Sequence, residues 1–264
     1  MIPGNKEKEK IQRMDSPRFS IPQAFKLPIY CALCKQQHRH PHAVCEHCHR
    51  LLEPLHHSCY HCALPLPSSD FLICGLCIKE KPAVDHAIAA YRFEEPLRRL
   101  LHAFKYQEGL YLCSYLAHLL LDKLDDFDKK TQCLIPVPLH PLRLKQRGFN
   151  QAALLAQYLG RQLKIPCDLK RCSKQHNTPA QAQLSANERR KNLHNAFHCP
   201  TLPYQHVTLI DDLLTTGSTV NELAKTLKQK GVQRVDVWAC AKAVLDDGRQ
   251  VSLCRDTTRQ SEQV

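Results

Sequence analysis

Two kinds of chemistry-bearing residue are grouped along this 264-residue chain. Eight of its 15 cysteines fall in four C-x-x-C pairs, Cys31/Cys34, Cys45/Cys48, Cys59/Cys62 and Cys74/Cys77, with spacers of 10, 10 and 11 residues. Two thiolates two residues apart can bind one tetrahedral metal ion from a tight turn, and two such turns complete a four-sulfur zinc site. Four pairs therefore predict two structural zinc sites. A disulfide scaffold would need an oxidising compartment, and a redox C-x-x-C would occur once, beside a βαβ pattern. Sequential pairing, first with second and third with fourth, keeps each closed loop short and is preferred over a cross-braced arrangement. His47 and His61, inside pairs, read as outward spacers because four thiolates already fill a coordination sphere. Cys113, Cys133, Cys167, Cys172, Cys199, Cys240 and Cys254 lack pair spacing and read as buried small residues or free thiols.

The second group is the stretch Val207-Thr-Leu-Ile-Asp-Asp-Leu-Leu-Thr-Thr-Gly-Ser-Thr219. An apolar strand delivers two adjacent carboxylates, Asp211 and Asp212, and a Thr/Gly/Ser loop then opens into a helix. Helix N-termini offer N–H groups without intrahelical partners and a partial positive charge, which suits a phosphate monoester. Thr215, Thr216, Gly217, Ser218 and Thr219 are thus predicted to hold a phosphate. The two carboxylates, one turn upstream, can reach vicinal hydroxyls of an attached sugar. Together they describe a ribose 5-phosphate site.

The formal charge of +12 is unevenly spread. Residues 1–138 carry 18 basic and 15 acidic side chains, residues 139–195 carry 11 and 2, and residues 196–264 carry 8 and 8. A local excess this lopsided faces phosphate, on a small ligand or on a nucleic-acid backbone, more readily than it decorates a solvated helix. With 43% hydrophobic and 23% charged residues the composition is that of a globular chain, which excludes wholesale disorder. No apolar run approaches the roughly 20 residues of a membrane-spanning helix. The first 30 residues alternate Lys and Glu and lack a signal-peptide pattern, so a cytoplasmic location is expected.

These groups need elements to position them. Ala87–Phe93, Cys133–Val137, Val207–Ile210 and Val232–Ala239 read as strands, and Pro96–Lys105, Leu110–Leu124, Asn150–Leu163 and Ser218–Lys230 as helices. Strands alternating with helices predict an α/β fold, a parallel sheet covered on both faces, with ligands at the carboxyl ends of its strands. The expected organisation is a flexible extension over 1–28, with Met14 an alternative start. A double zinc-ribbon module follows over 29–82, then the α/β domain over 83–244 and a tail over 245–264.

The acid pair and phosphate loop resemble the signature of type I phosphoribosyltransferases. Further blocks resemble the ComF family in particular: Ile135-Pro-Val-Pro138 with Arg143 and Arg147-Gly-Phe-Asn-Gln151, Thr178-Pro-Ala-Gln181, Leu184, Glu188-Arg189, Asn192 to Phe197, and Lys105-Tyr-x-x-Gly109. The resemblance covers about Cys31 to Lys242. It implies a phosphoribosyltransferase-like sheet, phosphoribosyl pyrophosphate with Mg²⁺ at Asp211, Asp212 and Thr215–Thr219, and Lys105, Arg143, Arg147, Arg189 and Arg190 facing pyrophosphate or DNA. One departure is Ala63, where the family has Gly; a turn needing positive φ would cost Ala roughly 1 kcal/mol.

Two function classes follow. One is a ComF-like competence factor that handles incoming single-stranded DNA in the cytoplasm or at the inner membrane, beside a membrane-associated import or helicase partner. The other is an active phosphoribosyltransferase. The position that carries an acid in hypoxanthine-guanine enzymes of this fold is Thr215 here, so no acceptor base and no catalytic residue can be named. Phe149 is expected to be the one free ring among the basic residues, with Tyr106 a second candidate, so DNA binding should be mostly electrostatic.

Overall fold

A computed structural model describes residues 27–124, 130–175 and 196–243. Most of the expected extension, the 245–264 tail, and the block containing Arg189 and Arg190 lie outside the described residues. In chain order the elements are β1 (Ile29–Tyr30), β2 (Gln37–His38), α1 (Glu46–His49), α2 (Gly75–Lys79), β3 (His86–Arg92), α3 (Leu97–Phe104), a 3₁₀ turn (Gln107–Leu112) and α4 (Cys113–Lys123). There follow β4 (Cys133–Pro136), α5 (Pro141–Arg147), α6 (Gln151–Leu163), β5 (Ser173–Lys174), β6 (Phe197–His198), β7 (His206–Leu214), α7 (Ser218–Gln229) and β8 (Arg234–Lys242).

The expected α/β architecture is present. Strands β3, β8, β7 and β4 form one four-stranded sheet in that order, and every pairing is parallel. Successive side chains of a strand point to opposite faces, and the core divides accordingly. Ala87, Ala89, Ile135, Val207, Leu209, Val235 and Val237 pack on one face with Val220, Leu223, Ala224 and Leu227 of α7. Ala90, Leu134, Ile210, Trp238 and Cys240 pack on the other with α3, α4 and α6.

Both central strands run past their predicted ends. The register between β7 and β8 continues from His206↔Arg234 to Leu214↔Lys242, so Asp211 stands opposite Ala239 inside the ladder rather than beyond the strand end. The run Ala239-Cys-Ala-Lys242 supplies the partner that extends β7. The predicted helix over 110–124 begins later, at Cys113, because a 3₁₀ turn precedes it. Gly109 forces that turn against α3: a Cβ there would lie 2.1 Å from the Ala103 carbonyl oxygen. Helix α5 has no buried residue and is held by its ends. His140 caps it by accepting from Leu142 N–H, Pro141 occupies the first turn, and Gly148 closes it at φ 84°.

The cysteine-rich segment packs into the same two cores. Cys31, Val44, Cys48 and Leu52 join the α3/α4/α6 face, whereas Leu55 and Ala63 join the α7 face. Between them residues 53–60 run along β3, with Arg92 N–H donating to Glu53 O, Leu55 N–H to Ala90 O and Ala87 N–H to Tyr60 O. That segment covers one edge of the sheet. The opposite edge, β4, is covered by residues 166–168, where Leu134 N–H donates to Pro166 O and Asp168 N–H to Leu134 O.

Replacing Gly109 with Ala drives a methyl into the end of α3, and overpacking of this kind costs about 1–3 kcal/mol. G109A is therefore expected to lower Tm by several degrees, read by circular dichroism, and an unchanged Tm would show that the 3₁₀ turn is not seated as described.

Candidate functional site

The site is assembled at the carboxyl end of the sheet. Gly217 caps α7 at φ 76°, a left-handed conformation that a Cβ disfavours although the space beside it is open. Thr216 Oγ1 and Ser218 Oγ are 2.8 Å apart, and Thr216 Oγ1 accepts from Ser218 N–H. The loop thus lies at the N-terminus of a 12-residue helix, whose first N–H groups have no intrahelical partner. From below, Lys242 Nζ donates to the Thr215 carbonyl. Lys242 is buried, and burial draws its pKa down.

Asp211 and Asp212 stand beside this loop. Burial, then the neighbouring Asp212 charge, pushes the Asp211 carboxyl well above its usual range. One of its oxygens accepts from Asp212 N–H at 2.9 Å. Asp212 Oδ2 is 3.9 Å from Lys105 Nζ and is buried with no hydrogen-bond partner among the described residues. A buried acceptor in that condition is costly. It fits a hydroxyl donor, so the donor set here suits a sugar diol beside a phosphate.

Cations converge from three other elements. Lys105 follows α3. Lys174, on β5, lies over the Phe197 ring at 5.7 Å, and burial, with the Arg143 charge adding to it, draws its pKa down while the Asp211 charge opposes this. Arg143 and Arg147, on α5, line a groove of about 1140 Å³ with Lys35, Arg99 and His102. Tyr106 and Tyr111 also line it, 59% and 54% exposed. The expectation that Phe149 is a free ring is corrected: it packs against the buried Phe104 at 6.4 Å between centroids. Not all of the basic segment joins the groove, since Arg171 is paired with Asp168 at 3.1 Å.

The eight paired cysteines form two clusters, Cys31/Cys34/Cys45/Cys48 and Cys59/Cys62/Cys74/Cys77, each with its four sulfurs within 4.8 Å of one another. The Cys34–Cys45 and Cys62–Cys74 sulfurs are 3.8 and 3.7 Å apart. A tetrahedron with metal–sulfur bonds of about 2.3 Å has edges of about 3.8 Å, whereas a disulfide would need about 2.05 Å. Each set could hold a metal ion. The two knuckles repeat one design. Cys31 Sγ accepts from Cys45 N–H and Cys59 Sγ from Cys74 N–H, and Cys45 and Cys74 are the N-cap residues of α1 and α2. Burial works against ionisation of Cys31, but N–H donors of Cys45, Cys34 and Leu33 hold its thiol down at about 6. Hydrogen bonds from Cys62, Cys74 and Cys77 lower Cys59 further. The residue after each first pair, Lys35 at φ 62° and Ala63 at φ 55°, adopts the left-handed turn anticipated at Ala63.

The structure therefore brings Lys105 to the acid pair and Arg143 and Arg147 to the adjoining groove. Lys242, Lys35, Arg99 and Tyr111 joined the site without having been singled out for it, whereas Lys174 belongs to the basic segment 139–195. A lysine ending the apolar run Val237 to Ala241 was the available signal for Lys242.

Competence protein F of Haemophilus influenzae (strain Rd) is 40% identical over 179 residues, covering 64% of this chain and 78% of that protein. DNA utilization protein YhgH of Escherichia coli (strain K12) is 34% identical over 226 residues, covering 83% of this chain and 99% of that protein. Competence protein ComFC of Bacillus subtilis (strain 168) is 27% identical, covering 69% and 82%. No protein-family profile matches. Among solved structures, a purine phosphoribosyltransferase from Pyrococcus horikoshii aligns at 14% identity over 50% of this chain and 83% of that chain, with a TM-score of 0.31; nothing below rests on it.

The raised Asp211 pKa has a stability consequence. An acid whose folded pKa exceeds its unfolded value of about 3.9 loses stability as pH rises through the folded value. Asp211→Asn removes that loss. The variant should match wild type near pH 4 and exceed it by several degrees at pH 8, measured by differential scanning fluorimetry. A constant offset across that range would show that Asp211 does not titrate as described.

Proposed function

The chain belongs to the ComF family, and we propose that it serves DNA uptake or utilisation by handling single-stranded DNA in the cytoplasm, on a scaffold held by two structural zinc ions. The names of its relatives, competence protein F and DNA utilization protein, support the general role. The observation that carries the finer reading is the groove, where Lys35, Arg99, Arg143 and Arg147 surround two exposed tyrosines. Cations that track a phosphate backbone, beside rings on which bases stack, are what sequence-tolerant single-strand binding requires. Among the described residues no helix is long and apolar enough to cross a membrane, so attachment to the inner membrane would pass through an import or helicase partner.

The acid pair and phosphate loop support a second component, a site for phosphoribosyl pyrophosphate. Asp212 Oδ2 supplies the acceptor for a ribose hydroxyl, and Thr216, Ser218 and the first turn of α7 supply donors for the 5-phosphate. Mg²⁺ bound with the ligand would neutralise pyrophosphate charge. A transferase reaction on an unidentified acceptor is the alternative that this same site favours. Salt separates the two: binding over many phosphates weakens steeply with salt, whereas a pocketed ligand with its metal responds less.

Two measurements test these readings. Protein purified in reducing buffer should contain about two zinc ions per chain, and one or none by elemental analysis would reject the two-site reading. Affinity for oligo-dT, read by fluorescence anisotropy, should fall linearly on a log–log plot against salt. Arg143→Glu/Arg147→Glu should flatten that slope by about 1–2, and Tyr106→Ala/Tyr111→Ala should cost about 1–3 kcal/mol per ring lost. Unchanged binding in both variants would remove DNA from the groove, while a thermal shift with phosphoribosyl pyrophosphate and Mg²⁺ that Asp211→Ala/Asp212→Ala abolishes would leave the transferase reading.

A further inference from the structure

Among the described residues, a further pair of cysteines is in contact outside the two metal-type clusters. Cys172 and Cys199 flank the β5–β6 hairpin, which pairs Ser173 with His198 and Lys174 with Phe197. The same register puts Cys172 directly opposite Cys199. Gln175 N–H donates to Ala196 O, so Gln175/Ala196 is a hydrogen-bonded position. Alternation along an antiparallel ladder then makes Cys172/Cys199 a non-hydrogen-bonded one, where facing side chains are closest. The two sulfurs are hydrogen-bonded at 2.9 Å, and both residues are buried, 7% and 0% exposed. A directly opposed pair of this type has a Cα separation of about 4.5 Å, inside the range of about 4.4–6.8 Å that a disulfide spans. Closing the bond needs side-chain rotation and no rearrangement of strands.

We propose that Cys172 and Cys199 are a redox-active dithiol, a modification site that a small hydroperoxide oxidises to a disulfide across the base of the β5–β6 hairpin.

The sulfur–sulfur contact distinguishes this pair from Cys133, which is buried without a sulfur partner and is pushed up to about 11. Within the pair the Cys199 thiol donates toward the Cys172 sulfur, and two thiols in contact titrate together, so attack and resolution belong to the pair as a unit. In the first step one sulfur of the pair, as thiolate, takes one peroxide oxygen, the O–O bond breaks, and the other oxygen leaves as hydroxide, giving a sulfenic acid. In the second the partner sulfur attacks the first, the S–O bond breaks, and the departing hydroxide leaves as water with the partner's proton. Two thiols lose two protons and two electrons, and hydrogen peroxide becomes two waters.

The probe is hydrogen peroxide, added stepwise to full-length, zinc-loaded protein. Each sample is acid-quenched, alkylated without reduction and mapped by mass spectrometry, with zinc release followed in parallel. The expected result is a peptide pair linking Cys172 to Cys199, lighter by two hydrogen atoms, that forms before zinc is released or Cys133 loses alkylation and disappears on adding dithiothreitol. Of Cys172→Ser and Cys199→Ser, the variant that keeps the attacking thiol should halt at the sulfenic acid, trapped by dimedone. Should that variant fail to fold, the wild-type map still decides. Separate alkylation of Cys172 and Cys199 after Cys133 has oxidised, or links from either residue to the C-x-x-C cysteines instead, would overturn the proposal.

Discussion

Asp211 and Asp212 stand side by side on β7, and two ionised carboxylates this close repel unless protons or cations intervene. Burial strengthens the repulsion and raises the Asp211 carboxyl. The surrounding elements are arranged about that charge. Lys105 comes from the end of α3, seated there because Gly109 lets the following turn close onto Ala103. Lys174, on β5, feels the charges of both Arg143 and Asp211. Asp212 Oδ2, buried with no hydrogen-bond partner among the described residues, is the acceptor that this arrangement leaves open.

The cysteine clusters belong to this arrangement and are not an appendage. The first sits on the α3/α4/α6 side, where His49 Nδ1 and Tyr115 Oη are 2.9 Å apart, and the second lies nearer the α7 side through Ala63. The second also bears on the phosphate loop. Burial disfavours a charged Lys242, and the nearby thiolates of Cys62, Cys74, Cys77 and Cys59 offset part of that cost. The sulfur cluster thus bears on the lysine that donates to the Thr215 carbonyl.

Local patterns were legible in the sequence and long-range pairing was not. The C-x-x-C spacing announced two sulfur clusters, the helical period announced α6 and α7, and the positive φ at Ala63 followed from a turn that Gly usually occupies. The ends of β7 and β8 were read short because each is extended by pairing with the other, and no local signal marks where that register stops. Tyr111 was missed because a 3₁₀ turn, imposed by contact between Gly109 and α3, decides which way it faces. Helix α5 had its signature in Pro141 and Gly148, yet seven residues without a buried face carry no periodic signal. Phe149 looked free because Phe104, its partner, is 45 positions away in the chain.

The strip that covers the β3 edge, residues 53–60, is strung between the two sulfur clusters. A bare strand edge is a row of backbone donors and acceptors that other chains can extend by strand addition, and a parallel sheet buried on both faces has few charges of its own to discourage this. Disruption of either sulfur cluster would loosen one anchor of the cover, and the bared β3 edge would then be open to strand addition as well as to simple unfolding.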